Sequence, residues 1–233
     1  MTMNRPLATS TLWILAATIV LVGAFIPLDP MLSQRAQGVP GAIVTFNERI
    51  TDFGTFGWMI YGSGVVVIVA YIVHRVSRNE TLAGRARTAR RLSLYFLVTI
   101  GAASALVHLV KLVVGRARPE LFSELGAYSL TPFTYDHLYA SFPSGHSAAV
   151  GSFFGAFSML APRLRPLFLI GALMIGVSRV IVGAHYPSDV AAGLLLGLWT
   201  AIVVAFLFAR KEWLFRFDEK GWPLPKSLLP PKQ

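Results

Sequence analysis

The sequence predicts an all-α polytopic membrane protein: six transmembrane helices in a single bundle, with a polar site at one end. Three observations carry this. Only 14% of the 233 residues are charged, against roughly a quarter in soluble domains, and mean hydropathy is +0.60. The apolar residues fall into six runs, most of them near the ~20 residues that cross a bilayer core. Lysine and arginine crowd the short segments between alternate runs, as topology signals do.

Residues 1–10 form a short polar N-terminus in which Arg5 is the only charge. The run 11–27 reads as the first span. No small-residue cleavage pattern follows it, and it continues into Pro27-Leu28-Asp29-Pro30, which argues against a signal peptide. Residues 28–52 read as a mixed loop holding Asp29, Arg35, Glu48, Arg49 and Asp52, with a short interfacial helix over 43–53. The second span, 53–73, carries Gly54, Gly57, Gly62 and Gly64, which suit close helix packing in lipid. Next comes the most basic segment, with Arg75, Arg78, Arg85, Arg87, Arg90 and Arg91 against Glu80 alone. These arginines read as topology signals and contacts to anionic lipid.

The third span, 92–115, ends in the stretch Lys111-Leu112-Val113-Val114-Gly115-Arg116-Ala117-Arg118-Pro119. The long loop 116–142 is rich in Phe and Tyr, which favour the membrane–water interface. The fourth span, 144–160, opens inside Pro143-Ser144-Gly145-His146. A basic turn at 162–166 leads to the fifth span, 167–183, and Tyr186-Pro187-Ser188 begins the sixth, which runs to residue 209. Residues 210–233 form a basic tail whose proline-rich end is expected to be disordered. The organisation is therefore a 1–10 terminus, an 11–209 six-helix transmembrane domain and a 210–233 tail, with no internal repeat and no second domain.

Arginine placement sets the expected orientation. The segments after spans two and four and the tail are basic, so both termini face the cytoplasm and the loops after spans one, three and five face outward. The polar helix ends are then expected on the outward face, which in a bacterial-type inner membrane is the periplasmic side. The net charge of +10 sits in these topology segments, which argues against a nucleic-acid partner. There is no cysteine, so disulfides and cysteine metal sites are excluded.

All three polar motifs fall at the outward ends of their helices. Charge at membrane depth is expensive, so it faces a partner or a wet cavity. Lys111, Arg118 and Arg179 are three cations that together require an anion. Lys111 and Arg118 are seven apart and share a helix face if the helix persists that far. Arginine offers a planar fork for phosphate oxygens and lysine a mobile point charge. Ser144, Gly145 and His146 open a helix after Pro143, where unpaired N–H groups and the dipole favour an anion, and Gly145 admits close approach.

His185 precedes Asp189 by four, with Pro187 starting a helix between them. In that turn the carboxylate can reach one ring nitrogen, fixing the tautomer and leaving the other nitrogen as nucleophile. His146 is then free to act as general acid. Nucleophile, acid and a cationic cage are the parts that phosphoryl transfer needs. No carboxylate cluster for a hard cation lies nearby, so neither metal nor other cofactor is expected.

These residues resemble the three-part signature of the type 2 phosphatidic acid phosphatase superfamily: Lys-x6-Arg-Pro, Pro-Ser-Gly-His and Ser-Arg-x5-His-x3-Asp. All eleven fixed identities are present in order: Lys111, Arg118, Pro119, Pro143, Ser144, Gly145, His146, Ser178, Arg179, His185 and Asp189. The resemblance implies that His185 becomes phosphorylated, that Asp189 supports it and that His146 is the general acid. It implies that Lys111, Arg118, Ser144, Gly145, Ser178 and Arg179 hold the phosphate. The implied activity is metal-independent hydrolysis of a membrane lipid phosphate or diphosphate, with no obligate protein partner. Candidate substrates from the family are phosphatidic acid, phosphatidylglycerol phosphate, undecaprenyl diphosphate and the 1-phosphate of lipid A.

Two other functions compete. A phosphotransferase would resolve the same phosphohistidine with a second hydroxyl. An anion transporter needs polar groups along its whole depth, whereas these cluster at one end. Vanadium haloperoxidases share the phosphate-site motifs but are soluble. Among the remaining polar residues, His108 reads as a packing histidine, Asp136 and His137 as a solvated loop, and His74 and Arg75 as snorkelling at a helix end. Arg116, inside the first motif but outside its fixed positions, reads as a contact for a second phosphate or for lipid headgroups.

Overall fold

The computed structural model describes residues 4–227, and the chain is helical through most of its length. α1 (Asn4–Phe25) carries the first apolar run, and a 3₁₀ turn, Ile26–Leu28, joins it to α2 (Asp29–Gln37). Pro27 and Pro30 fall in the first turns of these two pieces, where a missing N–H leaves no helical bond unmade. α3 (Gly41–Asp52) follows. Most of the segment read as a mixed loop is therefore helical. Its polar composition hides the period, but Asp29 in the first turn and Arg35 in the last suit the helix dipole.

α4 (Phe56–Val76) and α5 (Glu80–Val114) pack against each other. Asn79 caps α5, its Oδ1 accepting the Leu82 N–H at 3.0 Å. At 35 residues α5 is roughly 50 Å long, well beyond the ~30 Å hydrocarbon core. The arginines from Arg85 to Arg91 thus stand on its first turns rather than in a loop. Lys111 is at its other end.

After α6 (Phe122–Leu125) come α7 (Gly145–Leu160), α8 (Arg165–Ile181) and α9 (Pro187–Arg210). The short strands β1 (Phe215–Phe217) and β2 (Pro223–Pro225) then pair antiparallel, Phe215 opposite Pro225. Residues 228–233 at the proline-rich end lie outside the described residues. Among the described residues, five stretches are long and apolar enough to cross a membrane: Arg5–Gln37, Gly41–Val76, Glu80–Val114, Pro162–Ile181 and Pro187–Arg210. α7, with 16 residues, is shorter than the ~20 of a typical span.

α9 is the central element. Most of it is buried, and α1, α5, α7 and α8 all pack on it. The tightest approach is to α7. A Cβ on Gly193 would run into the Ser144 carbonyl, and one on Gly197 into the Ala148 carbonyl and the Ser152 amide. Small residues let two helix backbones close in where lipid supplies no hydrophobic drive. At the end far from the polar motifs, Tyr95 packs its ring against Phe96, Phe208 and Phe215 and donates its hydroxyl to the Ala201 carbonyl at 3.1 Å. Apolar side chains such as Trp13, Ile19, Val65, Ile68 and Leu169 point outward, as a lipid solvent permits.

Candidate active site

The first motif ends α5. Lys111 lies in the last turn, and its Nζ donates to the Ala140 carbonyl. Gly115 then terminates the helix at φ +59°, its N–H bonded to the Lys111 carbonyl at 2.8 Å. Any Cβ there would collide with the Thr131 carbonyl, so the position needs glycine for both conformation and space. The helix therefore does not persist to Arg118, and the expected shared helix face does not form. Arg118 sits instead on extended chain. Its N–H bonds to the Leu138 carbonyl at 2.8 Å and its Nε to the His137 carbonyl at 2.9 Å. The loop folds back over the helix ends through Ala117 to Ser129 (3.0 Å), Thr131 to Gly115 (2.7 Å) and Ser141 to Arg116 (3.0 Å) backbone bonds.

The second motif starts α7. Ser144 is its N-cap: Oγ accepts the Ser147 N–H at 3.3 Å and the Ser147 hydroxyl at 2.9 Å. The Ser144 N–H bonds to the Asp189 carbonyl at 2.9 Å, which ties the second motif to the third. That bond needs the close approach allowed by Gly193. The amides of Gly145 and His146 are first-turn donors without an acceptor inside the helix. The missing side chain of Gly145 would meet Phe56 and Val107 at ordinary contact, 3.8 and 3.9 Å.

The third motif spans the end of α8 and the start of α9. Ser178 is buried and donates its hydroxyl to the Ile175 carbonyl of its own helix at 2.7 Å. Arg179 Nη1 donates to Thr51 Oγ1 of α3 at 3.0 Å, while its buried Nε has no hydrogen-bond partner. The chain then turns at Gly183, and the amides of Ala184 and His185 both bond to the Arg179 carbonyl. Pro187 is the first residue of α9, and Asp189 Oδ2 caps the helix by accepting the Tyr186 N–H at 2.9 Å.

His185 is 3% exposed, and its Nδ1 lies 3.6 Å from Asp189 Oδ2. Burial drives its pKa down to about 3, with Lys111 and Arg118 adding to the effect and Asp189 opposing it. Burial thus favours the neutral ring. His146 is half-buried within electrostatic reach of Arg179, Arg118 and Lys111. The structure thus gathers Lys111, Arg118, His146, Arg179, His185 and Asp189 at one end of the bundle, with the Ser144 N–H bonded to the Asp189 carbonyl. The contacts of Ser178 and of the missing Gly145 side chain run to their own helix and to apolar neighbours.

Sequence reasoning missed a second charged group. Arg116 is 5% exposed, and its Nη1 donates to Asp189 Oδ1 and Ser188 Oγ, each at 2.7 Å. Its Nη2 donates to Asp29 Oδ2 at 2.8 Å, and Nε and Nη2 reach the Ala127 carbonyl. Its guanidinium also lies 4.2 Å from the centre of the Tyr186 ring. Burial works against its charge, but Asp189 and Asp29 outweigh this and hold its pKa above the ordinary value. These contacts replace the phosphate or headgroup contact read from the sequence. Asp29 was legible as a lone acid between two prolines at the end of an apolar run. Thr51 carried no signal.

The profile of the PAP2 superfamily matches residues 92–213. The chain belongs to this superfamily. The match contains every one of the three motifs, so the PAP2 signature and the gathered side chains are the same residues. A lipid A 1-phosphatase of Rhizobium johnstonii is 38% identical over 193 residues, covering 83% of this chain and 79% of that protein. One of Rhizobium etli is 39% identical over 191 residues, 82% of each. An undecaprenyl-diphosphatase of Sulfolobus acidocaldarius is 32% identical over 117 residues, 49% of this chain and 54% of that one. A crystal structure of a PAP2-type phosphatidylglycerolphosphate phosphatase from Bacillus subtilis has the same fold, with a TM-score of 0.59 at 19% identity. It covers 85% of this chain and 96% of that chain. As a PAP2 member this chain is a membrane phosphatase. Among the described residues, no group of three or more His, Asp or Glu side chains is placed to hold a metal ion.

Proposed function

We propose that the protein removes the 1-phosphate of lipid A, or of a lipid with the same glycosyl phosphate, at the outer face of a bacterial inner membrane. The observation that carries phosphoryl transfer is three cations, Lys111, Arg118 and Arg179, within reach of His146 and beside a buried His185 that Asp189 backs. The extent of similarity to the two Rhizobium proteins supports the substrate.

In this reading the cations take the phosphate oxygens and neutralise charge in the transition state. His146 takes up a proton beside the negative charge of the bound phosphate; His185 Nε2 then attacks phosphorus as the bond to the lipid oxygen breaks, and His146 gives that oxygen its proton. The imidazole becomes cationic, and Asp189 stabilises it. Water, giving its proton to His146, then attacks phosphorus and breaks the P–N bond. Hydrolysis returns both histidines to their starting state and needs no metal.

The proposed topology has six crossings, α7 being the short one, with both termini cytoplasmic. Its support is the alternation of basic segments and the separation of Lys111 from the arginine-bearing turns at opposite ends of α5. The test is free phosphate release from purified protein by lipid A 1-phosphate and undecaprenyl diphosphate, each in EDTA. Release from the first, with acid-labile phosphate trapped on wild type and lost in His185→Ala, is the expected result. Loss of all activity in EDTA with recovery in magnesium overturns the mechanism. Turnover that yields no free phosphate makes the protein a phosphotransferase.

A further inference from the structure

We infer that Asp29, at the start of α2, is a positioning residue for the reaction at His185, acting through Arg116 and Ser188 on Asp189. The inference rests on the proposed role of His185. Asp29 lies outside the family match of 92–213 and in none of the three motifs.

Asp29 is fully buried, and both its oxygens are used on the catalytic side of the molecule. Oδ1 accepts the Ser188 N–H at 3.0 Å, and Oδ2 accepts the Ser188 hydroxyl at 2.5 Å and Arg116 Nη2 at 2.8 Å. Ser188 is the residue before Asp189 and is itself fully buried, so Asp29 clamps backbone and side chain at that point. Arg116 bridges the two carboxylates, one on each side of its guanidinium. Ser141 completes the set by donating to Asp189 Oδ2 at 2.6 Å. Arg116, Ser141 and the Tyr186 N–H thus hold the Asp189 carboxylate, whose Oδ2 lies 3.6 Å from His185 Nδ1. A carboxylate that must meet a ring nitrogen at a fixed angle gains from such support.

Charge makes a second contribution. Asp29, Asp189 and Arg116 together carry one net negative charge. If Asp29 were neutral, Arg116 would cancel Asp189 alone. The His185 ring would then face a neutral pair at the moment when P–N bond formation makes it cationic. With Asp29 ionised, Arg116 is shared, and the pair behind His185 keeps its negative charge. The group thus holds the carboxylate in place without neutralising it, which a lone Arg116–Asp189 pair would not do. Because the bonds to Ser188 and Arg116 are all buried, solvent screening is weak there.

Asp29→Asn keeps the shape and removes the charge. The expected result is a kcat on the lipid phosphate lower by roughly 10–100-fold, with KM within about twofold of wild type. The rate of acid-labile phosphate formation on the protein should fall by the same factor. Ser188→Ala removes one clamp with little change of volume and should lower kcat by roughly 3–10-fold. A merely structural role would leave kcat per folded molecule unchanged or raise KM with it. Asp29→Asn with wild-type kcat, or with its whole loss in KM, overturns the inference. If that variant yields no folded protein, Ser188→Ala decides, and wild-type kcat there overturns it. His185→Ala is run in parallel: phosphate still accumulating on that variant overturns the role of His185 itself, a result separate from either outcome at position 29.

Discussion

Two groups of charge share one end of this bundle and are built in opposite ways. Asp29, Arg116 and Asp189 form a closed group, in which each charge is buried and bonded to its opposite at 2.7–2.8 Å. Lys111, Arg118 and Arg179 form an open group. Their hydrogen bonds go to the Ala140 and His137 carbonyls and the Thr51 hydroxyl, and among the described residues none forms an ion pair with a carboxylate. His185 and Asp189 stand where the groups meet. On the proposed function, the closed group holds geometry and the open group takes the anion. The difference teaches that proximity to the motifs does not by itself make a cation a ligand. Arg116 is two residues from Arg118, yet it bonds to two carboxylates where Arg118 bonds to a backbone carbonyl.

The largest expected effect separates the groups by stability. Arg116→Met leaves two buried carboxylates without their countercharge, and breaking a buried pair on one side costs about 3–5 kcal/mol. The protein should melt far earlier in detergent or fail to accumulate. Lys111→Met and Arg179→Met instead relieve repulsion among cations that lie within reach of one another. They should melt with or above wild type while kcat/KM falls by about 10²–10³-fold. Equal melting of Arg116→Met and wild type would break the comparison.

A smaller effect tests what the open group lacks. An anion that binds only the folded state stabilises it by about 2.7 kcal/mol at one hundred times its Kd. Inorganic phosphate should therefore raise the melting temperature of wild type, less so that of Lys111→Met, and chloride at equal ionic strength should not reproduce the shift. If chloride matches phosphate, the cations are screened as a diffuse patch rather than filled as a site.

The sequence shows the open group well and the closed group poorly, for physical reasons. Lys111, Arg118, His146, Arg179, His185 and Asp189 are polar residues in apolar surroundings, and cost at membrane depth makes them conspicuous. Arg116 was visible too, but its partner was 87 positions upstream, and no spacing rule links such a pair. The apolar runs located α1, α4, α5, α7, α8 and α9. They missed α2 because Asp29–Gln37 has no long apolar face to read. They also placed the end of the third helix correctly at Gly115 while carrying its face on to Arg118, where the left-handed glycine had already ended it.

The smallest effect concerns His185, where the groups meet. Its folded pKa is about 3, depressed chiefly by burial, against about 6.5 for an unfolded histidine. The unfolded chain therefore binds this proton as pH falls through about 6.5, and the folded protein does not until about pH 3. Stability from this residue is fully present above pH 6.5 and is lost below it, at roughly 1.4 kcal/mol per pH unit. His185→Gln removes the titrating group, so its stability should fall less steeply between pH 6.5 and 4.5, by the equivalent of one proton. Unfolding of both proteins in the same detergent across that range measures the difference. A wild type that instead gains stability relative to His185→Gln on acidification would mean that the folded ring takes the proton readily. Asp189 would then outweigh burial, Lys111 and Arg118, and His185 would rest as a cation with no free lone pair for phosphorus.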